Sequence, residues 1–298
     1  MKVFVTGATG FVGVAVVEEL LAQGHEVLGL ARSAASAARL RAMGAEPLAG
    51  DLEAHAVLRS GAAVADAVIH TGFIHDFARF AQSCAIDRAA ILALGEGASG
   101  KPFVVTSGLA ALDAAGRRAV ETDRALPPSE RYPRASEWAA ETLSARGIST
   151  SVMRLPPSVH GPGDHGFVPM LIEMARRSGV SGYGGQGANV WPAVHVRDAA
   201  RAYRLTVERG PASVTCHAVA EEGVPFREIA KAIAEGLGLP CVSLSPGEAR
   251  RHFGWFEGFA ALDQSASSAA TRARLGWQPD GPGLLSDIAH AGYFRAQD

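Results

Sequence analysis

The opening stretch MKVFVTGATGFVG constrains the fold of this chain more than any other. Lys2–Thr6 is a β-branched and aromatic run that reads as a buried strand. Gly7, Gly10 and Gly13 follow at three-residue spacing, and residues 14–21 carry a helical apolar period that stops at Gly24, a C-cap. Strand, glycine turn and helix together form the context of a dinucleotide-binding loop, although an ordinary βα turn shares that skeleton. In such a loop Gly7 permits the tight turn, Gly10 lets the backbone approach a pyrophosphate, and Gly13 lets the helix pack closely on the strand. The backbone of Thr9, Phe11, Val12 and Gly13 would then face the phosphates, where the helix end adds partial positive charge.

Short apolar runs alternate with helical periods beyond this point. Strands are expected at 25–30, 46–49, 65–69 and 102–106. Helices are expected at 34–43, closed by Gly44, through Arg59, and at 77–94, broken by Gly95 and Gly97. This alternation predicts right-handed βαβ crossovers and an α/β, Rossmann-type doubly wound parallel sheet. Residues 109–133 read as a long irregular loop over the site. A helix at 135–145, a strand at 149–154 and a helix at 167–177 follow. Residues 181–189, with four glycines and no apolar period, read as a loop. Residues 191–195 are extended, 198–208 form a helix capped by Asp198, 213–219 form a strand, and the remainder from Val224 is mostly helical. The composition changes most sharply at Leu155, where PPSVHGPGDHG begins. Residues 1–155 and 191–220 are therefore assigned to the NAD(P)-binding domain. Residues 156–190 and 221–298 are assigned to a smaller substrate-binding lobe, interleaved in sequence.

Composition narrows the class of protein. Of 298 residues, 48% are hydrophobic and 19% charged, which supports a sizeable core. A net charge of −2 argues against a nucleic-acid or membrane partner and leaves a small-molecule substrate as the expected one. Cys84, Cys216 and Cys241 show no metal-ligand spacing and read as small buried apolar residues in a reducing compartment. No H-x-x-x-H or HExxH pattern occurs, so no metal is expected. No signal peptide or membrane-length apolar run is visible, and a cytoplasmic location is expected. A homodimer is compatible with the sequence.

The spacing TGxxGxxG resembles that of the extended short-chain dehydrogenase/reductases, the NAD-dependent epimerase/dehydratase-like group. The resemblance spans most of residues 1–220. It includes RLPPSVHGPGDHGFVP at 154–169 and WPAVHVRDAA at 191–200. It implies that Asp51 and Leu52 contact the adenine, although Asp51 also suits a helix N-cap. Thr71 and Gly72 would run along the cofactor, and Pro156 would lie near the nicotinamide. His195 and Asp198 would hold the return to the sheet in a structural role. At the end of the second strand, where NAD-selective sheets place an acid, the chain reads Leu30-Ala31-Arg32-Ser33. A guanidinium without an acidic neighbour suits a 2′-phosphate, and Ser33 adds a hydroxyl, so NADP(H) is favoured over NAD(H).

The family's chemistry rests on Tyr-x-x-x-Lys with a hydroxyl at the end of the fifth strand. Here the chain reads Tyr132-Pro133-Arg134-Ala135-Ser136-Glu137. Counted from Tyr132, the lysine place holds Ser136; aligned on the helix pattern, lysine becomes Glu137 and tyrosine becomes Pro133. The lysine is absent either way. The catalytic candidates are Tyr132, placed before the helix where its direction is free, Ser107 at the strand end, and His75 beside Asp76 past the fourth strand. His160 and Asp164-His165 lie in the substrate-side segment and suit capping or packing equally. These observations point to an NADP(H)-dependent oxidoreductase acting on a small carbonyl or hydroxyl compound. Two alternatives remain: a nucleotide-sugar epimerase or dehydratase with bound NAD, and a non-catalytic NADP(H)-binding sensor.

Overall fold

A computed structural model describes residues 1–112, 114, 116–130, 132–290 and 292–294. Among these the strands are β1 (Lys2–Thr6), β2 (Glu26–Ala31), β3 (Glu46–Ala49), β4 (Ala67–His70), β5 (Phe103–Gly108), β6 (Thr150–Leu155), β7 (Ser158–His160), β8 (Ser181–Gly184), β9 (Val190–His195), β10 (Thr215–His217), β11 (Glu221–Pro225) and β12 (Cys241–Leu244). The helices are α1 (Phe11–Ala22), α2 (Ala34–Met43), α3 (His55–Val64), α4 (Phe80–Gly97), α5 (Ser136–Ser144), α6 (Phe167–Ser178), α7 (Val196–Glu208), α8 (Phe226–Leu237), α9 (Pro246–Phe253), α10 (Glu257–Ala260), α11 (Ala269–Leu275) and α12 (Leu284–His290). None of the described helices is long and apolar enough to cross a membrane.

Seven strands pair into one parallel sheet in the order β10-β6-β5-β4-β1-β2-β3. The chain adds strands outward from β1 in one direction, then returns to add β4 on the other side. That reversal opens a crevice at the carboxyl ends of β1 and β4, where doubly wound sheets bind ligands. Val3, Phe4, Val5, Val68 and Ile69 have no exposed surface, as expected of strands covered on both faces. One face packs under α1 and α7 through Val16, Leu20 and Tyr203. The other packs under α3, α4 and α5 through Leu58, Ile91, Leu94 and Leu143.

Helix α4 runs through Gly95 rather than ending there. A β-carbon on Gly95 would lie 2.4 Å from Leu143 Cδ2, so the glycine makes room for α5 instead of breaking α4. Helix α7 also starts earlier than expected: His195 is its cap, accepting from the Arg197 amide at 3.3 Å. Asp198 is buried in the first turn, where it accepts from the Gly281 amide at 2.9 Å and pairs with Arg201. It joins the C-terminal segment to the sheet instead of capping.

The second body carries a three-stranded sheet, β11-β9-β7, and the pair β12-β8. Its core is aromatic, built on Trp191, Phe226 and Phe256. Residues 181–184, read from sequence as loop, form β8, which pairs in parallel with β12 some sixty residues further on. The glycines conceal this strand because its stability comes from that distant partner and not from an apolar period. Cys84 and Cys216 are buried as expected, whereas Cys241 is exposed on the edge strand β12.

Candidate active site

The glycine loop leaves β1 with Gly7 at φ +66, a conformation glycine adopts freely. A β-carbon at Gly7 would stand 2.6 Å from the Gly72 nitrogen, and one at Gly13 only 2.0 Å from the Gly7 oxygen. The loop is thus wedged against the chain leaving β4. Helix α1 begins with Gly10 at its cap, no capping side chain and no carboxylate in its first turn. The first-turn amides, including those of Phe11 and Val12, therefore have no side-chain acceptor, and no negative charge cancels the helix end. This cradle fits a dinucleotide diphosphate.

Around the cradle, Thr71 Oγ1 donates to the Thr6 carbonyl at 2.8 Å, fixing the segment after β4. Leu52 is buried behind Gly72. Asp51 accepts from the Glu53 and Ala54 amides at 2.9 and 3.0 Å, closing a turn ahead of α3, whose cap position is Ala54 and not Asp51. Ser33 caps α2, accepting from the Ser36 amide at 3.1 Å. Arg32 is exposed at the end of β2 and makes no ion pair among the described residues. Arg39, which sequence reading did not single out, reaches from α2 to donate to the Thr9 carbonyl at 3.2 Å. Pro156 is buried just past β6.

A buried polar chain runs beneath the crevice. His70 Nδ1 lies 2.6 Å from Thr6 Oγ1, and His70 Nε2 lies 3.0 Å from Asp87 Oδ1. Ser136 Oγ donates to the other Asp87 oxygen at 2.6 Å. Thr106 Oγ1 donates to the His70 carbonyl at 2.7 Å and lies 2.6 Å from the Tyr203 hydroxyl. Ser107, the next residue on β5, is buried on the opposite face of the strand. No local pattern announced this chain, because its members come from separate elements.

The two positions that align with the family's lysine are Ser136, bonded to Asp87, and Glu137. Glu137 is turned toward β6, where Arg154 donates to it through Nε at 2.9 Å and Nη2 at 2.7 Å. Arg154 is 2% exposed and also donates to the Asp123 carbonyl at 2.7 Å. His217 Nε2 lies 3.2 Å from its Nη1. This helix position therefore closes a buried ion pair instead of presenting a cation to the crevice.

Tyr132 precedes α5 in a turn, its amide donating to the Ser129 carbonyl at 3.1 Å. Burial pushes its phenol up to about 12, against the opposing pull of Arg134. Arg134, also passed over in the sequence, stacks its guanidinium 4.4 Å over the Phe73 ring. Its Nε is buried and has no hydrogen-bond partner. His75 lies beside Phe73, with ring centroids 5.2 Å apart. Desolvation, then the charges of Arg134 and His165, hold its pKa below the ordinary histidine value. Phe73 thus lies between Arg134, stacked on it, and His75, packed edge-on to it. His165 packs edge-on against Phe11, 5.9 Å between centroids, at the start of α1. The other substrate-side groups are engaged: His160 Nδ1 lies 2.7 Å from Asp287 Oδ2, and Asp164 accepts from the Tyr293 hydroxyl at 2.8 Å. No group of three or more metal-ligating side chains occurs among the described residues.

The family model of NAD-dependent epimerases and dehydratases matches residues 3–218. The chain belongs to this epimerase/dehydratase family. It is accordingly a nicotinamide-nucleotide-dependent enzyme with a Rossmann domain. An uncharacterized protein of Schizosaccharomyces pombe is 45% identical over 99% of this chain and 100% of its own length. A ketoreductase of Stigmatella aurantiaca, acting on a 4-hydroxy-2-methyl-3-oxo-4-farnesyl-3,4-dihydroquinoline-1-oxide, is 31% identical over 71% of this chain and 66% of its own. Among solved structures, the UDP-glucose 4-epimerase of Thermus thermophilus in complex with NAD superposes with a TM-score of 0.77. It is 23% identical and covers 99% of both chains, so it shares the fold.

Proposed function

We propose that this epimerase/dehydratase-family enzyme is an NADP(H)-dependent reductase of a small carbonyl compound that works without the Tyr-x-x-x-Lys pair. The feature that supports this reading is a partly buried phenol, Tyr132, two residues before Arg134, whose guanidinium stacks on Phe73 and whose Nε has no hydrogen-bond partner among the described residues. When bound, the cofactor supplies the hydride. Phe11 and Val12 amides hold the diphosphate at the helix end, and Thr71 and Gly72 line its path. Arg32 takes the 2′-phosphate, with Arg39 close behind on the same side of the loop. The Tyr132 hydroxyl gives the carbonyl oxygen its proton. Burial keeps the phenol protonated at neutral pH, so it has a proton to give. His75, kept neutral near pH 7, relays the replacement proton from solvent.

Arg32→Ala will weaken NADPH binding about tenfold to a hundredfold, the effect of one charge-assisted contact, and change NADH binding little. Calorimetric titration of both nucleotides checks this, and equal wild-type dissociation constants would refute the cofactor preference. Tyr132→Phe will lower kcat about a hundredfold to ten-thousandfold without altering NADPH affinity. His75→Ala will lower it less. If neither substitution reduces turnover, the donor assignment is wrong. Purified protein that carries NAD and consumes no NADPH would indicate an epimerase or dehydratase. Tight NADPH binding with no carbonyl turned over would indicate a sensor.

A further inference from the structure

Four carboxylates near the crevice have partners among the described residues. Glu137 is held by Arg154. Asp87 lies between His70 and Ser136. Asp123 pairs with Arg117, and Asp164 accepts from Tyr293. Arg134 is left over: it makes no ion pair among the described residues, and its Nε is buried without an acceptor. Phe73 lies under one face of the guanidinium, 4.4 Å from ring centroid to Cζ. A buried guanidinium nitrogen with no acceptor is costly unless a ligand oxygen completes it. The cofactor diphosphate has its own donors at the start of α1. Arg134 instead stacks on Phe73, whose ring also packs against His75, a catalytic candidate.

We propose that Arg134 is the carboxylate-binding residue of the substrate pocket, so that the enzyme acts on oxo acids. The planar fork of a guanidinium matches a carboxylate through two parallel hydrogen bonds. The carbonyl gains a hydride from the bound cofactor and a proton from the Tyr132 hydroxyl, becoming the alcohol. The phenolate regains its proton from solvent through His75, and the carboxylate is unchanged. This substrate class rests on the reductase reading above, whereas the carboxylate contact itself does not need turnover.

The test uses α-, β- and γ-oxo acids, each paired with its methyl ester, and the full-length protein with NADPH. The wild type will prefer one acid over its ester, and Arg134→Met will reduce that kcat/KM ratio about tenfold to a hundredfold. The change will sit in KM for the acid, with NADPH affinity unaltered. Arg134→Lys will recover part of the ratio, since it restores charge without the fork. In parallel, the matching unreactive hydroxy acid is titrated into the NADP+ complex, where it will bind wild type and not Arg134→Met. An equal loss for acid and ester, or an equal loss of NADPH affinity, would overturn the proposal and make Arg134 a cofactor or general catalytic contact. Absence of all turnover with hydroxy-acid binding intact would sink the reductase reading and leave the carboxylate site standing. Absence of that binding in wild type would sink the site.

Discussion

Gly13→Ala will all but abolish nucleotide binding and will destabilise the fold by about 1–3 kcal/mol, the usual range for overpacking. On an exposed helix the same change would stabilise by up to about 1 kcal/mol, so the sign is diagnostic. Here the new methyl would arrive 2.0 Å from the Gly7 carbonyl oxygen and 3.0 Å from the Ala8 Cα, both backbone atoms of the cradle. Neither can swing aside as a side chain would. The loop must move, and its other side is wedged against the chain after β4, where a Gly7 β-carbon would already be 2.6 Å from the Gly72 nitrogen. The amides that face the diphosphate shift with it. Urea unfolding with calorimetric titration of NADPH measures both effects. A stable variant with unchanged affinity would show that α1 does not lie against the loop as described.

Glu137→Lys, which restores the family's lysine at the helix-aligned position, will not restore ordinary family chemistry. It will unfold the protein or cost it several kcal/mol. The substitution places a second cation against Arg154, whose side chain is 2% exposed, and removes its bidentate partner. Removing one member of a buried pair typically costs about 3–5 kcal/mol, because the survivor is left charged and unpaired. Glu137→Gln will fall at the milder end, since an amide oxygen still accepts one bond from Arg154. The double variant Glu137→Met with Arg154→Met will be more stable than either charged single variant. Chemical denaturation of the four proteins tests the coupling. Additive losses would mean that the two groups do not act as a pair.

The alternation of apolar runs and helical periods made the doubly wound sheet legible, as the helix at 34–43 illustrates: it has the bounds of α2, down to the left-handed Gly44. The glycine spacing likewise located a loop whose close contacts leave no room for β-carbons. What local patterns missed were residues whose meaning depends on a partner far along the chain. β8 needed β12, and Gly95 needed Leu143. Asp198, chosen as a helix cap because of its residue type, serves the segment at 280–281 instead.

The same division runs through the site. Sequence alone pointed to a dinucleotide cradle at the start of the chain, placed Arg32 directly after the second strand with no acid beside it, and read Ser136 or Glu137 at the place of the family's lysine. These are contiguous features, set by backbone geometry and by neighbours within a few residues. Only the tertiary structure decided what Ser136 and Glu137, the two positions that align with that lysine, do. It turned Glu137 into a buried pair with Arg154 and linked His70 to Asp87 and Ser136. It also stacked Arg134 on Phe73 with no ion pair among the described residues. Charge pairing in a low-dielectric interior acts through space, so the partners can be identified only once the chain is folded.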